Sequence, residues 1–257
     1  AIENTGAELI VTSDADCLMN ENCLSTVLEF YETTKCKMIV APVLLNNEKG
    51  FFNKLLQLDL LGMAGITGAT LNQQFPSMCN GASLAFTKKV FNDVNGYKGI
   101  NGISSGDDML LMHKIEKQFP RSVLFLQNMN ALVFTKPIGS LPSFISQRMR
   151  WTSKSKAYKY PKLKANLLAV LLFNLSVLIS FIGMFFNTDF QMVFAFQFII
   201  KLIFDFSFLY QIAVFFKRKK LLWLFLPAQV FHVFYIIIIG FAGNLFTTKW
   251  KGRKVTS

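Results

Sequence analysis

Acidic side chains are scarce in this chain, and their scarcity is local. The 257 residues carry 15 Asp+Glu against 27 Lys+Arg. Residues 121–164 hold 9 cations and no acid, and residues 165–257 hold 9 cations and 2 acids. Only residues 1–120 have an acidic excess, 13 against 9. A cationic block without acids meets either anionic headgroups or nucleic acid, and the apolar runs that follow it favour the lipid surface. Charged residues are only 16% of the chain, against 52% hydrophobic residues that include 28 Phe, a balance that excludes disorder. Cys17, Cys23, Cys36 and Cys79 form no Cys-x-x-Cys pair, and no His stands at zinc spacing from them. That excludes a dense disulfide framework and leaves reduced, buried thiols as the simplest reading.

Residues 1–135 alternate short apolar runs with helical patterns. The runs 8–12, 38–44, 82–86, 122–126 and 131–134 predict strands, several of them buried on both faces. Residues 21–33, 51–66, 88–94 and 107–118 have helical spacing, with Thr87 and Asn95-Gly96 as caps around the third. Strands alternating with helices predict an α/β sheet. Residues 141–164 then mix aromatics with cations, as a helix in the membrane interface does. Three apolar stretches follow, 165–186, 190–216 and 221–246, each long enough to span a hydrocarbon core. Lys201 and Asp205 interrupt the second at i, i+4, where they can pair on a helix.

Charge and span number conflict. Loop 187–189 has no cation, whereas 217–220 and 249–254 are strongly basic. The positive-inside bias puts both basic segments on the cytoplasmic side with block 148–164. Three simple spans would separate them. A hairpin or re-entrant element bent near Pro227 resolves the conflict; three ordinary spans with an exception to the bias is the alternative.

Three motifs carry chemistry. Asp14-Ala15-Asp16 follows the first strand, where two carboxylates can present oxygens to a hard divalent cation beside a diphosphate. The bland alternative is a solvated turn. Gly106-Asp107-Asp108 opens a helix; the macrodipole accounts for one acid there, and a second suits proton abstraction. Gln147-Arg148-Met149-Arg150-Trp151 offers two guanidinium groups for phosphate oxygens and an indole for a sugar ring, although a basic-aromatic membrane anchor would look similar.

The order Asp-x-Asp, Gly-Asp-Asp, Gln-x-x-Arg-Trp, then membrane spans resembles the membrane-integrated family 2 glycosyltransferases, the group of cellulose, chitin and hyaluronan synthases. Asn80-Gly81-Ala82-Ser83-Leu84-Ala85-Phe86, Val90-Phe91, Gly96-Tyr97 and the closing Trp250-Lys251-Gly252-Arg253 look like further segments of that family. The resemblance implies a GT-A-like (Rossmann-like) mixed sheet over 1–140, an interfacial helix over 141–164, and a membrane region with a basic tail over 165–257. It implies an inverting hexosyltransferase that moves a sugar from a UDP- or GDP-sugar to a lipid-linked or glycan acceptor. Surface polysaccharide synthesis at the cytoplasmic face of a bacterial inner membrane would be its setting. Carried over, Asp16 and Asp14 hold Mg²⁺ or Mn²⁺, with Asp14 also facing the donor diphosphate, and Asp108 is the catalytic base. Asn80, Gly81, Asp107, Gln147, Arg148, Arg150 and Trp151 contact donor or acceptor.

Two departures stand out. Asp107 occupies a position where the family usually has Glu. The βα units that precede the Asp-x-Asp strand in that family, and bind its nucleotide base, are missing from this sequence, so it is expected to be the C-terminal part of such an enzyme. Two other readings remain: a non-catalytic membrane protein such as a transporter component or scaffold, for which Lys201 and Asp205 argue, and a sugar-nucleotide-binding pseudo-transferase.

Overall fold

The computed structural model describes residues 2–46, 49–100, 106–153, 155, 158, 160–245, 249–250 and 253–254, excepting the side chains of 244, 245, 249, 250, 253 and 254. It divides into two units, Ala1–Pro137 and Ile138–Ser257.

In the first unit the chain runs β1 (Leu9–Thr12), β2 (Leu18–Met19), α1 (Cys23–Thr34), β3 (Met38–Val40), β4 (Val43–Leu45) and α2 (Phe51–Asn72). It continues through β5 (Leu84–Thr87), α3 (Lys88–Asp93), α4 (Asp107–Gln118), β6 (Val123–Phe125) and β7 (Val133–Thr135). One sheet has the order β1-β5-β3-β6, with β5 antiparallel to both neighbours and β3 parallel to β6. A second has the order β2-β7-β4. Mixed sheets packed with helices make this a GT-A-like domain, the fold class expected from the sequence.

The run 38–44 is two strands in two sheets, not one strand. Pro42 has no N–H to give a ladder, so the pairing must break there. Its carbonyl still accepts from the Val133 amide (3.2 Å), which starts the second sheet, while the Ala41 amide closes the first by donating to Ser83 (3.0 Å). Helix α2 continues six residues past Ile66, the end expected from spacing. The Thr67 and Thr70 hydroxyls turn back onto the carbonyls of Met63 and Ile66, and Gly68 admits the Phe125 ring, which would stand 2.8 Å from any Cβ there. Around α3 the expected caps form: Thr87 Oγ1 accepts from the Val90 amide (3.1 Å), and Asn95 and Gly96 take positive φ. Met38, Ile39, Leu58, Leu61, Phe86, Leu111, Met112 and Ile115 are essentially inaccessible and form the centre of this unit.

The second unit holds α5 (Leu141–Ser153), α6 (Pro161–Gly183), α7 (Thr188–Phe215), α8 (Phe225–Leu245) and a terminal hairpin of β8 (Lys249–Trp250) and β9 (Arg253–Lys254). The helix within 141–164 covers only α5, and Pro161 opens α6, where a missing amide costs nothing. Three stretches are long and apolar enough to cross a membrane: Pro161–Gly183, Thr188–Phe215 and Lys219–Gly243, with mean hydropathies of 2.3, 1.9 and 2.1. Only 6% of the most apolar window of α7 is buried by protein, an exposure compatible with a membrane-integral helix. Lys201 and Asp205 pair as their spacing predicts, Nζ to Oδ2 at 2.5 Å. Pro227 falls in the first turn of α8, so it puts no bend in the helix body.

Replacing Thr87 with Ala removes the α3 cap and should lower stability by about 1 kcal/mol. Thermal unfolding of the solubilised protein checks this, and Thr87→Ser should keep most of the loss from appearing.

Candidate active site

Strand β1 delivers its C-terminal end to a turn that holds Asp14, Asp16 and Cys17. The Cys17 amide donates back to the Asp14 carbonyl (3.1 Å), which folds the turn before β2 begins. One ligand atom from each of the three side chains lies within 4.8 Å of the others. Both carboxylates are exposed. Burial pushes the Cys17 thiol up, and the Asp14 and Asp16 charges push the same way, against a hydrogen bond with Thr135. A protonated thiol is a poor ligand, so the two carboxylates are the donors that matter. Their convergence and access suit a small hard cation, which takes one or two carboxylates and completes its shell with water and substrate phosphates.

β1 and β5 pair with Thr12 opposite Leu84, and this register sets the end of β1 beside the tight turn Gly81–Ser83. The Thr12 hydroxyl donates to the Gly81 carbonyl at 2.7 Å. On its other side the same residue donates its amide to Asp108 Oδ2 at 2.9 Å. Asp108 Oδ1 accepts from the Met109 amide at 2.7 Å, so each carboxylate oxygen has a backbone donor. The turn runs close to the carboxylate: a Cβ at 81 would stand in contact with Asp108 Oδ2 at 3.4 Å. Asn80 caps the turn by accepting from the Ala82 amide (3.1 Å), which gives that side chain a structural duty next to the site.

Gly106 takes positive φ (92°) and starts α4, which places Asp107 and Asp108 in its first turn. Asp107 points to solvent and Asp108 is half-buried. Tyr97 lies close enough to feel both: burial raises its phenol first, and the Asp107 and Asp108 charges raise it further. Its ring meets Phe91 edge-on at 5.2 Å. Neither Tyr97 nor Thr12 stands out as a site residue by motif. The signal for Tyr97 was its place after Gly96, and for Thr12 its place at the strand end. Further along α4, buried His113 touches the Pro76 carbonyl with Nε2 (3.0 Å), which ties the approach to Asn80 onto the helix that carries Asp108. Burial keeps its imidazole below the usual range.

In the second unit, α5 carries Gln147, Arg148, Arg150 and Trp151. Arg148 is buried, with its guanidinium carbon 4.4 Å from the Trp151 ring centre and 4.9 Å from that of Phe144. A guanidinium at these distances from two rings makes favourable cation–π contacts with both. Gln147, Arg150 and Trp151 are half-buried. The structure therefore gathers Asp14 with Asp16, and Asn80 and Gly81 with Asp108, while the α5 group forms its own cluster.

A family model described as Glycosyl transferase family group 2 matches residues 9–241, from the first residue of β1 into α8. No curated protein matches the chain.

Thr12→Val keeps shape but leaves the Gly81 carbonyl without its donor, and should cost about 1–3 kcal/mol in thermal unfolding. His113, neutral when buried, favours the folded state above its ordinary value of 6.5. As pH falls below 6.5 the unfolded chain takes up the proton first, so stability declines and then levels off below the folded value. The difference in melting temperature between wild type and His113→Phe, followed from pH 7.5 to about 4.5, should show this slope.

Proposed function

This chain belongs to glycosyl transferase family group 2, and we propose that it serves inverting transfer of a sugar from a nucleotide-diphosphate donor to a lipid-linked or glycan acceptor at the cytoplasmic face of a membrane. The observation that carries the reading is the Gly81 peptide, hydrogen-bonded at once to the strand end that leads into Asp14 and Asp16 and to the carboxylate of Asp108.

Asp108 is the base. The acceptor oxygen attacks the anomeric carbon, its proton passes to Asp108, and the bond from that carbon to the diphosphate breaks with inversion. Because the Gly81 and Met109 amides fix both carboxylate oxygens, the base does not have to reorganise as the proton arrives. Asp16 and Asp14 would hold Mg²⁺ or Mn²⁺. Such a cation supplies charge that offsets the departing diphosphate. Arg150 and Gln147 are assigned to diphosphate and acceptor, and Trp151 to a sugar ring, with Arg148 holding the indole in place. The three stretches apolar enough to cross a membrane suit an acceptor that is itself lipidic. Lys201 and Asp205, the best argument for a transport role, satisfy one another, which leaves that reading with little support.

The test uses the whole protein in detergent or nanodiscs, with a panel of UDP- and GDP-sugars and either Mg²⁺ or Mn²⁺. Metal-dependent release of nucleoside diphosphate is expected, and Asp108→Asn should reduce it by roughly 10²–10⁴-fold without weakening donor binding. Metal-dependent binding with no turnover in wild type would make this a sugar-nucleotide-binding protein. Absence of binding in folded protein would leave a membrane scaffold.

A further inference from the structure

We propose that Tyr97 is a further acceptor-binding residue of the candidate site and that Lys114 positions it. The phenol holds a second hydroxyl of an incoming sugar, beside the hydroxyl that Asp108 deprotonates. The proposal rests on the reading of Asp108 as the base.

Tyr97 follows α3 in a turn that is tied down on both sides. The Gly96 amide donates to the Phe91 carbonyl at 2.7 Å, and the Ile100 amide donates to the carbonyl of Tyr97 at 3.0 Å. Gly96 takes a φ of 45° and lies so close over Phe91 that a Cβ would stand 2.6 Å from its ring. Glycine alone suits that backbone and that gap.

Lys114 fastens the same turn to α4. Its ammonium donates to the Gly96 carbonyl at 2.5 Å and to the Lys98 carbonyl at 3.1 Å, one on each side of Tyr97. Lys114 stands seven residues after Asp107, about two turns on and on nearly the same helix face. Side chains on a helix lean towards its N-terminus, so the ammonium reaches back towards the turn that carries Asp107 and Asp108. Among the described residues it pairs with no carboxylate. A cation spent on two neutral carbonyls acts as a backbone clamp.

The ring has a second anchorage. It meets Phe91 edge-on at 5.2 Å, and Phe91 stacks at 5.6 Å on Phe86, a fully buried residue of β5. Strand β5 follows directly on the Gly81–Ser83 turn, whose first amide holds Asp108. Tyr97 is therefore fixed both to the helix that carries the base and to the strand beside the peptide that orients it.

What is left over is the phenol oxygen. It has no hydrogen-bond partner among the described residues, and its residue is only half-buried. Burial and the Asp107 and Asp108 charges keep this phenol protonated, so it is a donor in want of an acceptor. A sugar supplies one. One sugar hydroxyl attacks the anomeric carbon and passes its proton to Asp108 as the bond from that carbon to the diphosphate breaks. The oxygen on the neighbouring sugar carbon accepts from Tyr97. Water has no such second oxygen, so the same contact separates a sugar acceptor from solvent.

The test uses the whole protein in nanodiscs, the UDP- or GDP-sugar that it turns over, and a dilution series of the producing cells' lipid and glycan extract as acceptor. Tyr97→Phe keeps the ring on Phe91 and removes only the hydroxyl. It should raise the half-saturating amount of extract about 3–10-fold, the worth of one neutral hydrogen bond, with the donor KM unmoved. Lys114→Met should do the same, and Lys114→Arg, which can still span two carbonyls, should restore most of the loss. An unchanged half-saturation in Tyr97→Phe, or an equal rise in its donor KM, overturns the proposal. Asp108→Asn keeps that failure apart from failure of the base. Full turnover in Asp108→Asn removes the base and this proposal together, whereas lost turnover there beside a normal Tyr97→Phe removes the proposal alone. A wild type that transfers nothing from any donor removes both.

Discussion

One peptide unit, that of Gly81, holds the candidate site together. Its carbonyl takes the Thr12 hydroxyl and its amide gives to Asp108, so strand β1, the turn before β5 and the start of α4 meet at a single residue. Each of the three segments comes from a different part of the sequence, with separations of 69 and 27 residues. Loop-closure entropy opposes such a meeting, and the β1–β5 ladder offsets it by bringing Thr12 and Leu84 opposite one another. A Cβ at 81 would come into ordinary contact with that carboxylate, 3.4 Å from Oδ2.

The two units differ in what completes them. The first encloses its own centre of Met, Leu, Ile and Phe side chains, to which α2 and α4 contribute. The second leaves most of α6 and α7 uncovered, and within it buried Ser180 bonds Gln197 and buried Lys201 pairs with Asp205. That is how a helical hairpin is built when the surrounding solvent offers no hydrogen bonds.

Much of this could be read from residue order alone. Period and cap chemistry located α1, α3 and α4, and each motif fell at the end of an element where side chains can converge. What escaped depended on distant partners. Pro42 looks like part of one apolar run until Ser83 and Val133 claim its neighbours for separate sheets. The last turns of α2 follow from a cavity that Phe125 fills, and β2, two residues long, exists only because β7 is beside it. Pro227 suggested a bend, but its position in the first turn of α8 makes it harmless. The contact of buried Arg148 with the Phe144 and Trp151 rings, by contrast, has no signature in the motif.

That contact limits what Trp151 can do. An indole has two faces, and Arg148 has taken one of them. Whatever stacks on the remaining face meets a ring whose electron density is already drawn toward a cation behind it. Such a surface is one-sided and can hold a single flat partner at a time.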